Sequence, residues 1–276
     1  MKKVIVPILA SVIFTAIGVS AMYAFLKFQT EPIPQPKVPE VATNPDVSAK
    51  VYVRLPNTEP VEAMNEDFTL PDSLWVVVSK DHPLSDPNYI PSDLQLLTSV
   101  ATRSDKSEEE RSLRLVATEH LTKMLNDAKA SGFDLLVGSA FRSFSLQNYY
   151  YSNYVKTAGE AVASLYSAKP GESEHQTGLV VDIALASHVC YLETCFGQTE
   201  PGKWLATNAT KYGFILRYPA DKTDITKYQY EPWHFRFVGE TLANALEESG
   251  LTLDEAYPYL ESARRELVNT KLLNEQ

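Results

Sequence analysis

Gly171-Glu-Ser-Glu-His-Gln-Thr-Gly-Leu-Val-Val-Asp182 runs from a glycine-flanked turn carrying His175 into an apolar segment, Leu179 to Ala184. The segment reads as a buried strand with one acid in it, Asp182. A carboxylate among valines and isoleucine is costly unless a cation or several donors meet it. A second signal lies downstream in Tyr230-Glu-Pro-Trp-His-Phe-Arg236, part of a strand predicted over Tyr230 to Val238. Glu231 and His234 stand three apart there, and in a regular strand they would face opposite sides. Pro232 cannot donate to a ladder, so a bulge or edge distortion is expected that turns both toward one point. Two imidazoles and one carboxylate suit a catalytic zinc site with its fourth position open for water. His175, Asp182 and His234 are therefore the candidate ligands, and Glu231 the candidate base. Lone histidines are more often structural, and His82, His120 and His188 are assigned that way. No His-Glu-x-x-His is present, which excludes the common zincin pattern.

Around these motifs the pattern is irregular. Leu74 to Val78 reads as a buried strand, and Glu108 to Ser131 as one long helix stopped by Gly132. Phe133 to Gly138 is a short strand leading into Ser139-Ala-Phe-Arg-Ser143, and a polar, aromatic helix follows from Ser145 to about Val155. Gly202 to Tyr212 reads as a helix, Phe214 to Tyr218 as a strand, and two helices begin near Glu240 and Leu253. Short strands among early and late helices, without βαβ alternation, predict an α+β domain.

The N-terminus sets the compartment. Lys2 and Lys3 precede an apolar run from Val4 to Leu26, closed by Lys27. A run of that length meets the roughly 20 residues a membrane-spanning helix needs, and the lysines favour a cytoplasmic start. The alternative is a cleaved signal peptide ending near Val19-Ser20-Ala21. Either way the body of the chain is exported. The expected layout is an anchor or signal segment over 1–29, a linker over 30–50 and one domain over 51–276. Pro32, Pro34, Pro36, Pro39 and Pro45 make that linker an extended spacer or a plain tether. Formal net charge is −10 over 276 residues, and the exported part is more acidic still. That argues against nucleic acid and against a basic lipid-binding surface. Cys190 and Cys195 are the only cysteines, and an even count in an exported chain favours a disulfide over free thiols.

Taken together, Ser173-Glu-His-Gln-Thr-Gly-Leu-Val-Val-Asp-Ile183, Glu231-Pro-Trp-His-Phe-Arg236 and Ser139-Ala-Phe-Arg-Ser143 closely resemble the VanY-like zinc D-alanyl-D-alanine carboxypeptidases. These share a superfamily with VanX dipeptidases and the sonic hedgehog fold. The resemblance covers about residues 70–255, including Lys80-Asp-His-Pro-Leu84 and Trp204-Leu-Ala-Thr-Asn208. It implies a hedgehog/DD-peptidase-like single domain, a small antiparallel sheet with flanking helices. It also implies one Zn2+ on His175, Asp182 and His234, with Glu231 as base. Arg142 would be the cation near the scissile carbonyl and the substrate carboxylate. Gln147 and Ser173 match positions lining the substrate pocket. The implied substrates are peptidoglycan stem peptides ending in D-Ala, cleaved as D,D-pentapeptides or as tetrapeptides by an L,D-carboxypeptidase. The implied roles are wall maturation or vancomycin resistance. A zinc-bearing wall-binding module without activity is the rival from another class, and Glu231 argues against it, since binding alone needs no base.

Overall fold

A computed structural model of the chain describes residues 50–63 and 68–274. The apolar run Val4–Leu26 and most of the proline-rich segment lie outside the described residues. No helix among the described residues is long and apolar enough to cross a membrane.

A four-stranded antiparallel sheet organises the domain. Its strands are β5 (Leu135–Ser139), β6 (Val180–Leu185), β7 (Phe214–Leu216) and β8 (His234–Phe237), in the order β5-β6-β8-β7. Along β6 nearly every residue is buried, which suits its continuous apolar run. Helix α1 (Leu115–Ala130) packs Ala117, Leu121, Met124, Leu125 and Ala128 into a core shared with Val181, Ile183, Phe235 and Phe237. Burying each large side chain of that stripe contributes about 1.5–3 kcal/mol. Two short antiparallel pairs precede the sheet: β1 (Tyr52–Val53) with β2 (Val61–Glu62), and β3 (Leu94–Leu96) with β4 (Ser112–Arg114). Helix α2 (Phe144–Ala158) starts at Ser143, whose hydroxyl accepts from Leu146 N, and α3 (Glu160–Tyr166) follows it directly. Helix α4 (Glu200–Asn208) leads through a 3-10 turn, Ala209–Tyr212, into β7. Helices α5 (Glu240–Ser249) and α6 (Leu253–Asn274) close the chain. Leu242, Leu246, Leu253 and Leu260 form a second core with Val51, Val53 and Val61.

Three expected elements differ from those observed. Trp75–Val78 is buried and Leu74 half-buried, but the segment pairs with no strand. Two of its carbonyls are taken by a side chain instead: Arg236 Nη2 donates to Leu74 O at 3.1 Å and to Val76 O at 2.8 Å. The helix expected over Glu108–Ser131 starts only at Leu115, because Ser112–Arg114 pairs with Leu94–Leu96. The last strand is shorter than Tyr230–Val238. His234 N bonds to Glu231 O at 3.1 Å, so residues 231–233 form a turn and β8 begins at His234.

Candidate metal centre

The sheet register assembles the centre. Asp182 on β6 is paired across the ladder with His234 on β8, and on its other side with Ser139 on β5. Between Val137 and Ser139 the β5–β6 register shifts, a bulge centred on Gly138. Beyond it the chain turns through Ala140, Phe141 and Arg142 and holds His175 twice. Ala140 O lies 2.5 Å from His175 Nδ1, and Arg142 N donates to His175 O at 3.2 Å. His175 itself sits in a 3-10 turn, Glu174–Thr177, that ends at Gly178 in the left-handed region, φ +65°. A Cβ at Gly178 would come within 2.9 Å of Arg114 Cγ and 3.0 Å of Leu94 Cδ2, so glycine serves both conformation and space here.

Ligand-type atoms of His175, Asp182 and His234 lie within 4.8 Å of one another, and all three residues are buried. This is the one such group of metal-ligating residues among the described residues. His175 Nε2 is 3.4 Å from Asp182 Oδ2, and His234 Nδ1 is 3.5 Å from Asp182 Oδ1. Ligands bonded to zinc at about 2.0–2.2 Å in a tetrahedron stand about 3.3–3.6 Å apart. His175 Nε2 and Asp182 Oδ1 are also buried without a hydrogen-bond partner. Buried polar atoms are rarely left so, and a cation at their centre would satisfy them. The donor set, two imidazoles and a carboxylate, therefore fits zinc in chemistry, and each ring stands at near-tetrahedral spacing from one oxygen of Asp182.

Electrostatics follow from burial and neighbours. Burial and the Arg142 guanidinium depress His175 to about 4, so its ring is neutral and able to ligate at neutral pH. Burial opposes charge on His234, but Asp182, Glu174 and Glu231 outweigh it and raise the ring to about 10 in the metal-free protein. Asp182 would be raised by burial, yet the two histidines hold it well below the usual carboxylate range. Glu231 is different: burial raises its pKa. Its Oε2 lies 3.4 Å from His234 Nδ1, beside the ligand set. Arg142 brings Nη2 to 4.0 Å from Asp182 Oδ2, and its buried Nε has no hydrogen-bond partner.

Other expected site residues divide. Gln147 is buried and donates from Nε2 to Ala168 O at 2.7 Å, so it ties α2 to the segment leading into the site, while its Oε1 lacks a partner. Ser173, also buried, precedes the His175 turn. Cys190 and Cys195 are bonded, with an S–S distance of 2.04 Å. Of the histidines assigned to structure, His82 stacks on Tyr257 and His120 packs on Phe237 beside Glu240.

Sequence reasoning missed a buried charge network behind His234. Glu174 Oε1 accepts from Arg217 Nε at 2.9 Å and Arg236 Nη1 at 2.8 Å. Arg217 in turn donates to both oxygens of Asp254 at the start of α6. The side chains of Glu174, Arg217 and Arg236 are fully buried. The signal was present: Arg217 is a charge inside the apolar run Phe214–Tyr218, the same anomaly that marks Asp182.

Comparison with known proteins covers most of this domain. The VanY family model, D-alanyl-D-alanine carboxypeptidase, matches residues 110–240. The putative carboxypeptidase YodJ of Bacillus subtilis is 42% identical over 192 residues, 70% of this chain and 70% of that protein. Among solved structures, the LdcB LD-carboxypeptidase superposes with a TM-score of 0.64 at 42% identity, covering 68% of this chain and 86% of the other. A mutant of the vancomycin resistance D,D-pentapeptidase VanY, in complex with Zn(II), superposes with a TM-score of 0.52 at 29% identity. It covers 66% of this chain and 98% of the other.

Proposed function

Since the chain belongs to the VanY-like family of zinc D-alanyl-D-alanine carboxypeptidases, in the hedgehog/DD-peptidase superfamily, we propose that it removes the C-terminal D-alanine from peptidoglycan stem peptides. The observation that carries the proposal is the convergence of His175, Asp182 and His234 with Glu231 beside them and Arg142 facing Asp182. Zinc, held by those three side chains, would polarise the scissile carbonyl and bring the pKa of water toward about 7. Glu231 Oε2 takes the proton as the water oxygen adds to the acyl carbon. As the C–N bond breaks, Glu231 returns that proton to the amine nitrogen of the leaving D-alanine. Its buried position, which raises its pKa, suits it to both transfers. The Arg142 guanidinium supplies fixed positive charge for the substrate carboxylate and the developing oxyanion.

Cleavage between two D-alanines of a pentapeptide stem is the first reading, in keeping with the description of the family. A second reading, L,D-cleavage of tetrapeptide stems, is favoured by the 42% identity to LdcB against 29% to VanY. The Val4–Leu26 segment would hold the enzyme on the outer face of the bacterial membrane, or release it if cleaved as a signal. Mass spectrometry of purified penta- and tetrapeptide muropeptides, after incubation with the zinc-loaded protein, separates the readings. Release of D-alanine from the pentapeptide alone supports D,D-cleavage, and from the tetrapeptide alone L,D-cleavage. Release from neither overturns the proposal.

A further inference from the structure

The two histidines of the zinc site present opposite ring nitrogens, and each turns its second nitrogen into the protein. His175 Nδ1 lies 2.5 Å from Ala140 O, a pure acceptor, so that nitrogen carries the proton and Nε2 is left bare for a metal. For His234 the inward nitrogen is Nε2, and it faces Glu174 Oε2 at 3.7 Å. Both atoms are buried and neither has a hydrogen-bond partner. Buried polar atoms are nearly always paired; here a nitrogen able to donate faces a carboxylate oxygen just beyond hydrogen-bond reach, a gap that a small side-chain shift closes. A carboxylate oxygen only accepts, so in the neutral ring that a metal would bind, the imidazole proton belongs on Nε2 and the lone pair on Nδ1, which faces Asp182 and Glu231. Glu174 is not free to turn away, because Oε1 is clamped between Arg217 and Arg236.

We propose that Glu174 is a positioning residue for zinc: by accepting Nε2–H it fixes the tautomer and orientation of His234 that present Nδ1. Metal-bound histidines commonly give their second N–H to such a partner, and losing it costs about 10–100-fold in metal affinity. The proposal rests on the zinc site described above. It adds a residue that touches neither metal nor substrate.

Glu174→Gln makes a sharp test. Arg217 and Arg236 can only donate, so the amide oxygen must face them and the amide NH2 must face His234. Nε2 must then accept, and the proton moves to Nδ1, the nitrogen zinc needs. Zinc affinity, measured on the full chain by competition with a chelator, should fall at least 10–100-fold in a protein with wild-type near-UV circular dichroism. Asp254→Asn disturbs the same ion network without touching His234, and should keep zinc affinity within about twofold, well short of that loss. A folded Glu174→Gln protein that holds zinc as tightly as wild type overturns the proposal. So does an equal loss in both variants, which would make the network merely structural. Should Glu174→Gln not fold, the His234 Nε2–H in a 1H–15N spectrum of zinc-loaded wild type decides. Slow exchange with solvent supports the pairing, and exchange as fast as an exposed imidazole overturns it. A wild-type chain that binds no zinc would overturn the zinc site itself as well.

Discussion

His234 stands between two groups of buried charge that are built in opposite ways. On its Nδ1 side are Asp182, His175, Glu231 and Arg142, where several polar atoms have no hydrogen-bond partner and ring-to-carboxylate distances are 3.4–3.5 Å. On its Nε2 side are Glu174, Arg217, Arg236 and Asp254, joined by charge-assisted bonds of 2.5–3.2 Å. The first group is poised for ligands from outside the chain. The second is nearly satisfied within itself and ties the residue after β7, β8, the His175 turn and the first turn of α6 together. A buried ion pair adds little stability over apolar packing, but removing one partner strands a charge and is costly. Its value here is to fix Glu174 on the Nε2 side of His234. Changes on the two sides should therefore have different signatures.

The largest effect is expected at Glu231, the proposed base. Glu231→Gln keeps size and hydrogen-bonding capacity but cannot take the proton. Activity on a D-alanine-terminated peptide should fall by at least about 10²–10⁴-fold, with zinc content unchanged. Retention of activity within about tenfold, short of that general-base contribution, would mean another group is the base. On the other side, Arg217→Met leaves Glu174 and Asp254 facing an apolar side chain. A stability loss of about 3–5 kcal/mol is expected in urea unfolding. A loss under about 1 kcal/mol, typical of exposed pairs, would erase the distinction between the two groups.

Acidity tests the first group without mutation. In metal-free protein His175 is depressed to about 4 from an ordinary 6.5, so between those values the unfolded chain binds the extra proton and stability falls as pH falls. His234 is raised to about 10, so the folded state binds the extra proton above 6.5 and its contribution is lost as pH rises toward 10. The urea midpoint of metal-free protein should peak near pH 6.5 and decline on both sides. Zinc held on His234 Nδ1 would replace that proton and should remove the alkaline decline. A midpoint that rises steadily from pH 6.5 to 10 in the metal-free protein would contradict the cluster's charge arrangement. The smallest effect is expected at Cys190–Cys195. Closing so short a loop contributes about 2 kcal/mol or less, so the double-serine variant should fold and keep activity. Inactivity of a folded double-serine protein would show that the loop shapes the site.

Legibility in the sequence followed local anomaly. Asp182 was readable because a carboxylate in a run of valines breaks a rule of burial. Glu231 and His234 were readable because Pro232 breaks a strand. What failed depended on distant partners. Leu74–Val78 has the β-branched composition of a strand, but nothing local shows that Arg236 takes two of its carbonyls. Leu113 continues a helical spacing, yet its backbone pairs across to Gln95. Glu174 beside His175 looked like part of a motif, because its partners Arg217 and Arg236 are more than forty positions away in the chain.

The direct pairing of Asp182 with His234 across β6 and β8 has one more consequence. Side chains alternate faces along a strand, so a slip of β8 by a single residue would send His234 to the opposite side of the sheet. No intermediate register gives a weakened version of the site. Zinc held there would act as a checksum on strand alignment, adding its binding energy to the correctly threaded sheet and none to a misthreaded one. Metal supplied during refolding should therefore raise the yield of correctly registered protein beyond what it adds to the stability of the finished fold.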